Sequence, residues 1–359
     1  MKFIFSIFAV GCFTGLFAQV DFPVRIQDFS DEFEGLIDLN DDDTLVVSQY
    51  DEYVPEYVIR IMDKKTNSEA LKAYTNGFPD YLLNEENEAV PNIKELPYGS
   101  QSVLIYEDYN FDGIKDFAIM NGYNSCYGGP SFDIYLVDKS RKLQYSEGFS
   151  VLSNDYCGMF QIDDENQMIH TMTKSGCCWH EFSEFKVINN EPKVIKIIEE
   201  AYLSYNNFIE VTETDYKDGK EFSETKNYFP MEEMSSDIIF SFELEKSGKQ
   251  LIIYQTEKIL NYVLILEDEE IEFYFPQPYY DEESQETVYE NFTYDMDENT
   301  LSFKNADAEY EIYESPEKVG IKVKTKGKTY DLKGKKDTIT GTLKDLRKPD
   351  WDNILYNNF

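Results

Sequence analysis

The chain is short of positive charge, of histidine and tryptophan, and of long apolar runs. Its 359 residues include 70 acidic against 33 basic ones, a formal net charge of −37. A surface of that sign repels phosphate backbones, which excludes nucleic acid as a partner. His170 and His180 are the two histidines, little material for imidazole chemistry. No G-x-S-x-G, HExxH or Walker pattern occurs, and among the many acids no carboxylate pair stands out for glycoside hydrolysis. A Cys–His dyad would need a free thiolate, which an oxidising compartment disfavours. The sequence makes no positive case for an enzyme. Past the N-terminus nothing approaches the roughly 20 apolar residues that span a bilayer, so no transmembrane segment is expected in the mature chain. Long amphipathic helical patterns are scarce too, and Ser68–Thr75 is the best helix candidate.

What is present begins with MKFIFSIFAVGCFTGLFAQV. Lys2, the apolar run Phe3–Phe17 and the small Ala18 form a secretory signal, residues 1–18, cut after Ala18. An alternative reads Val10-Gly11-Cys12 as a lipobox with Cys12 lipidated, but the apolar run continues past Cys12. A periplasmic or secreted protein is expected. Its acidity reads either as a plain solvated surface or as steering toward a basic partner. With 28 Tyr and 26 Phe the chain can still build a sizeable core.

Short alternating runs with turn signals between them dominate the pattern, as strands require. YVIRIM (57–62), SVLIY (102–106), DFAIM (116–120) and FDIYLV (132–137) are early examples; IIFSFE (238–243), QLIIY (250–254) and TITGTL (338–343) are later ones. Asp218-Gly219, Ser247-Gly248 and Lys326-Gly327 join paired runs as hairpins. The fold class predicted is all-β with minor helix, in antiparallel sheets. Phe229–Ser236 breaks the alternation and is the candidate linker between a first domain, residues 21–230, and a second, 236–346, followed by a tail, 347–359, that carries Trp351.

Residues 108–116 read DYNFDGIKD. Numbered from Asp108, positions 1, 3 and 5 are Asp108, Asn110 and Asp112, Gly113 is position 6, Ile114 offers its carbonyl at 7, and Asp116 stands at 9. That is the oxygen spacing of a calcium loop. Position 12 is Ile119 rather than Glu, and the flanks read as strands, so the expectation is a strand–loop–strand Ca2+ site with a structural role. The bland alternative is a solvated acidic hairpin. Asn40–Asp43 and Asp163–Asn166 are also acidic, and both read as solvated turns.

Four cysteines remain after the signal: Cys126, Cys157, Cys177 and Cys178. An even number in an exported chain suggests two disulfides, with three connectivities open. If Cys177 and Cys178 lie on a strand they point to opposite faces, and each would bond a different partner. A bridge between the adjacent pair would close a strained ring. A zinc site of Cys157, Cys177, Cys178 and His180 is a further alternative. Between Asn121 and Ser131, glycines and Pro130 surround Tyr123 and Tyr127. A Gly-rich loop pinned at Cys126 can present rigid aromatics as binding anchors, with Trp179 and His180 beside them if Cys126 bonds into the pair. The alternative for these rings is core packing.

EDYNFDGIKDFAI (107–119), NGYNSCYGGPSFDIYL (121–136) and TKSGCCWHEFSEF (173–185) together resemble a family of exported bacterial proteins. Its members include a periplasmic inhibitor, an immunity protein that protects its host from a lysozyme-like effector of a bacterium-killing type IV secretion system. The resemblance covers roughly residues 50–200 and leaves the chain after 236 uncovered. It implies a β-rich fold, a calcium loop at Asp108–Asp116, and a protruding loop that blocks a hydrolase cleft. The function expected is a calcium-binding protein-interaction module that inhibits a basic cell-wall hydrolase. The alternative is a calcium-stabilised structural protein that associates with another envelope protein and inhibits nothing.

Overall fold

The computed structural model describes residues 20–41, 55–97, 99–204, 206–282, 285–348 and 351–357. The signal segment and Cys12 lie outside the described residues. Among the described residues the protein is a succession of antiparallel β-meanders with two short α-helices, and the all-β class expected from the sequence is what forms. No described helix is long and apolar enough to cross a membrane.

Two compact units divide the chain: 1–172 with 185–193, and 173–184 with 194–359. The chain crosses between them within the strands Met168–Ser175, Trp179–Ile188 and Glu191–Leu203. The first unit holds a four-stranded sheet of Val24–Ile26, Phe33–Leu39, Tyr57–Asp63 and Ser68–Thr75. It also holds a four-stranded sheet of Leu104–Glu107, Asp116–Ser125, Gly129–Val137 and Leu143–Ser146. Phe117, Ala118, Ile119 and Met120 are all buried, so this stretch of the second strand is covered on both faces. Phe149 and Leu152, one helical turn apart on the helix Glu147–Asn154, are buried as well.

In the second unit a central sheet contains Ile238–Glu243, Gln250–Thr256, Ile259–Ile265 and Ile271–Phe275. The run LIIY (251–254) is apolar throughout because both faces are covered. Leu251 and Ile253 join one core, and Ile252 and Tyr254 another. The first of these cores also takes side chains from Phe292–Asp295, Thr300–Asn305, Ala308–Glu314 and Val319–Thr325, neighbours in a six-stranded sheet that the Lys328–Lys333 strand edges. Phe303 and Tyr310 are register partners and stack at 4.6 Å with an interplanar angle of 4°. Asp218-Gly219 and Lys326-Gly327 are two-residue hairpin turns with positive φ at both positions, as those dipeptides allow.

Three expectations change. Ser68–Thr75 is a strand paired with Tyr57–Asp63, not a helix. Its helix-forming residues yield to a buried neighbour that offers a hydrogen-bonding edge and burial for Ala73 and Thr75. In 338–343 only Thr340–Gly341 pairs as strand, flanked by short 3-10 turns. The disulfides are Cys126–Cys157 and Cys177–Cys178. The opposite-face argument fails because Gly176, Cys177 and Cys178 form a turn, with Gly176 at φ +65°, and do not lie on a strand. The Phe229–Ser236 segment is a short helical turn, Met231–Met234, flanked by the fully buried Phe229.

Candidate functional site: an acidic loop and a tyrosine loop on one strand

The acidic loop closes where Glu107 pairs with Asp116, strand on either side. Gly113 takes φ +86° with nothing near its missing Cβ, the left-handed turn that glycine supplies cheaply. Asp108 accepts from the backbone N–H of Asp112 at 3.2 Å and of Gly113 at 2.8 Å. Asn110 Oδ1 accepts from Asp112 N at 3.2 Å, and Asp112 Oδ1 from Ile114 N at 2.8 Å. These bonds curl the loop round its own side-chain oxygens. A cavity of about 540 Å3 opens beside Asn110 and Asp112, with Asp138, Glu147 and Glu191 in its wall.

Asp116 is placed differently from the other four. It is fully buried, and its two oxygens accept from Tyr109 N at 2.9 Å and Val137 N at 2.8 Å. Burial pushes its carboxyl up to about 7; the two N–H donors pull it down, and Asp108 and Asp112 add to the rise. It ties the loop to the strand Gly129–Val137. The oxygen-only donors Asp108, Asn110, Asp112 and the Ile114 carbonyl suit a hard cation in type and spacing. Asp116 fits as the brace behind them, since it is fully buried and tied to the strand Gly129–Val137. Among the described residues no group of three His, Cys, Asp or Glu side chains is gathered as a metal centre.

The same strand, Asp116–Ser125, leads from this loop to the tyrosines. Register shifts at Gly122 and Ser125 bend it away from plain pairing. Cys126 is bonded to the buried Cys157, and its N–H donates to the Tyr156 carbonyl at 3.2 Å. Gly158 N donates to the buried Ser125 Oγ at 3.2 Å. Tyr127 and Gly128 then both take left-handed backbone, φ +57° and +71°. For a tyrosine that conformation is uncommon, and it leaves the side chain 67% exposed. Beneath the loop Asn121 donates to Asp133 Oδ1 at 2.8 Å and to Asn154 Oδ1 at 3.2 Å, and Ser131 Oγ donates to Asn121. Burial raises the Asp133 carboxyl above its ordinary range, and Asn121 partly offsets this.

Tyr123, half exposed, lies over Gly77, whose Cβ, were there one, would stand 3.2 Å from the ring. Partial burial raises its hydroxyl, and Tyr81 and Asp80 add to this. Tyr81, on the turn Asp80–Leu82, is a further largely exposed ring, near enough to act electrostatically on Tyr123. Sequence reasoning missed it, because the two tyrosines lie far apart in the chain and Tyr81 lies in no motif. Trp179 and His180 are half-buried at the start of the strand Trp179–Ile188, in the second unit. The covalent link expected to bring them to the loop is not formed, since Cys126 bonds Cys157 instead. With all four cysteines in disulfides, no thiolate is left for the zinc alternative.

No protein-family model matches the chain, and no curated protein matches it. Among solved structures it is similar to a Xanthomonas protein described as related to the type IV secretion system, at 17% identity and a TM-score of 0.42, over 58% of this chain and 96% of that one. A Bacteroides uniformis protein described as a candidate 6-phosphogluconolactonase is similar at 10% identity and a TM-score of 0.22, over 86% of this chain and 83% of that one. Likeness at these scores carries nothing about activity.

Proposed function

We propose that the protein is an exported, calcium-braced binding module that blocks a basic, lysozyme-like cell-wall hydrolase by seating Tyr127 and Tyr123 in its cleft. The observation that carries this reading is Tyr127 itself. It is a large exposed ring, locked between a disulfide and a left-handed glycine, in the turn just past a strand whose other end is tied down by Asp116. Rigid tyrosines bind at low entropic cost and are frequent interface anchors. The net charge of −37 favours a basic partner and speeds encounter with it.

Calcium would be held by Asp108, Asn110, Asp112 and the Ile114 carbonyl, with Asp116 behind. When bound it supplies charge neutralisation alone. The chain's own contribution is to hold the start of Asp116–Ser125 fixed, so that the loop at its end keeps one geometry. The test is a titration of the mature protein against a panel of basic lysozyme-like hydrolases, with cell-wall lysis as the readout. Inhibition is expected, with an association rate that falls as salt rises. Tyr127→Ala should weaken it by about thirtyfold or more. A panel with no member bound overturns the reading.

A further inference from the structure

We propose that the edge hairpin Val319–Thr325/Lys328–Lys333 of the second unit docks the protein onto an anionic phospholipid surface, a binding site separate from the tyrosine loop and independent of the function proposed for it. In a chain where acids outnumber bases two to one, residues 318–336 hold eight lysines and a single aspartate, a local charge of +7.

Lysines elsewhere in the protein are commonly neutralised on the spot, and some of these are too. Lys322 pairs with Glu311 at 2.6 Å, Lys324 with Glu309 at 3.1 Å, and Lys335 with Glu243. Lys326, Lys328 and Lys333 have no ion-pair partner among the described residues. The one acid of the outer strand, Asp331, is already engaged by the Tyr313 hydroxyl at 2.7 Å.

The register places Lys328 beside apolar groups, while Lys333 falls on the opposite face of the same strand. Lys328–Lys333 is the last strand of its sheet, and all six of its residues are exposed. Alternation puts Lys328, Tyr330 and Leu332 on one face, with Tyr330 opposite Val323 and Leu332 opposite Ile321. Being outermost, Tyr330 and Leu332 stay 50% and 41% exposed instead of entering the core. Lys326 stands at the hairpin tip with φ +48°. The edge strand thus carries Tyr330 and Leu332 beside Lys328 on one face and Lys333 on the other, with Lys326 at the tip, so cations flank an interfacial ring along an exposed edge that can lie against a lipid headgroup layer. Screening beyond about 8 Å at physiological salt lets this patch act despite the acidity elsewhere.

The test is co-sedimentation of the full chain with vesicles of equal parts phosphatidylcholine and phosphatidylglycerol, against pure phosphatidylcholine. Binding is expected only to the first and is lost at high salt. The triple variant Lys326→Gln, Lys328→Gln, Lys333→Gln should bind about a hundredfold more weakly, at about tenfold per 1.4 kcal/mol and close to 1 kcal/mol per lysine. A control triple in the first unit, Lys65→Gln, Lys139→Gln, Lys142→Gln, should bind as the parent does. Circular dichroism checks that each variant folds. Absence of phosphatidylglycerol-dependent binding overturns the proposal, as does equal loss in the control triple. It is also overturned if the hairpin triple still binds but self-associates, which would make the lysines guards of a bare strand edge. Lysine-dependent dimers without vesicles would assign the edge to a second copy of the chain and overturn it as well.

Discussion

In the first unit the strand Asp116–Ser125 begins at a carboxylate held by two backbone N–H groups and ends at a disulfide. In the second, the strand Thr300–Asn305 carries Phe303 between Phe275, 4.3 Å away, and Tyr310, with plain turns at either end. One strand is fixed by polar and covalent ties and delivers exposed rings to solvent. The other is fixed by stacked rings that are withdrawn from it. The same residue type serves opposite ends: Tyr262 and Tyr294 are buried in the second unit, whereas Tyr81, Tyr123 and Tyr127 are presented in the first. Tyrosine count alone therefore says nothing about binding; what holds the backbone beneath each ring decides it.

This contrast can be tested by removing each kind of tie. The largest effect is expected for Phe303→Ala, about 3–5 kcal/mol of stability, because a buried ring leaves a cavity among packed neighbours. Chemical denaturation measures it, and added reductant should leave this loss unchanged. Next comes removal of the Cys126–Cys157 bridge by paired serines. It should cost about 3–4 kcal/mol, since the bridge closes 31 residues of chain, and it should also weaken hydrolase inhibition. Paired serines at Cys177 and Cys178 should cost less than about 0.5 kcal/mol, because bonding adjacent residues closes no loop of the unfolded chain.

Calcium ranks third. At a hundredfold excess over its dissociation constant it should stabilise the protein by about 2.7 kcal/mol, and chelator or Asp112→Asn should remove the gain. A melting temperature indifferent to calcium and chelator would leave the loop as a self-bonded acidic turn. The smallest effect is on pH dependence. Burial raises the Asp133 carboxyl in the folded protein, so the folded state binds its proton more tightly than the unfolded chain does. The stability tied to that proton is present at acid pH and declines as pH rises above the ordinary aspartate range. Asp133→Asn should flatten the decline, as denaturation at several pH values would measure.

Much of the fold was legible because strand alternation and turn dipeptides are local signals. LIIY, IIFSFE and the Asp-Gly and Lys-Gly turns carry their conformation in a few residues. The errors arose where a distant partner decides. SEALKAYT has helix-forming residues but is taken into a sheet by Tyr57–Asp63. The opposite-face argument for the cysteine pair required a strand at 177–178, and Cys177 and Cys178 lie within a turn with Gly176 instead. In the candidate site the spacing of Asp108, Asn110, Asp112 and Gly113 was visible, and so were the tyrosines of the Gly-rich loop. That Asp116 spends both oxygens on backbone N–H groups could not be read, because one donor, Val137, lies 21 residues away. Tyr81 was invisible for the same reason.

Amide hydrogen exchange across the whole chain, with and without a bound lysozyme-like hydrolase, addresses the tyrosine loop most directly. Slower exchange is expected at Asn121–Ser131 and around Tyr81, and should vanish with Tyr127→Ala. Protection confined to the second unit, or unchanged by that substitution, would contradict the assignment of this loop as the recognition surface.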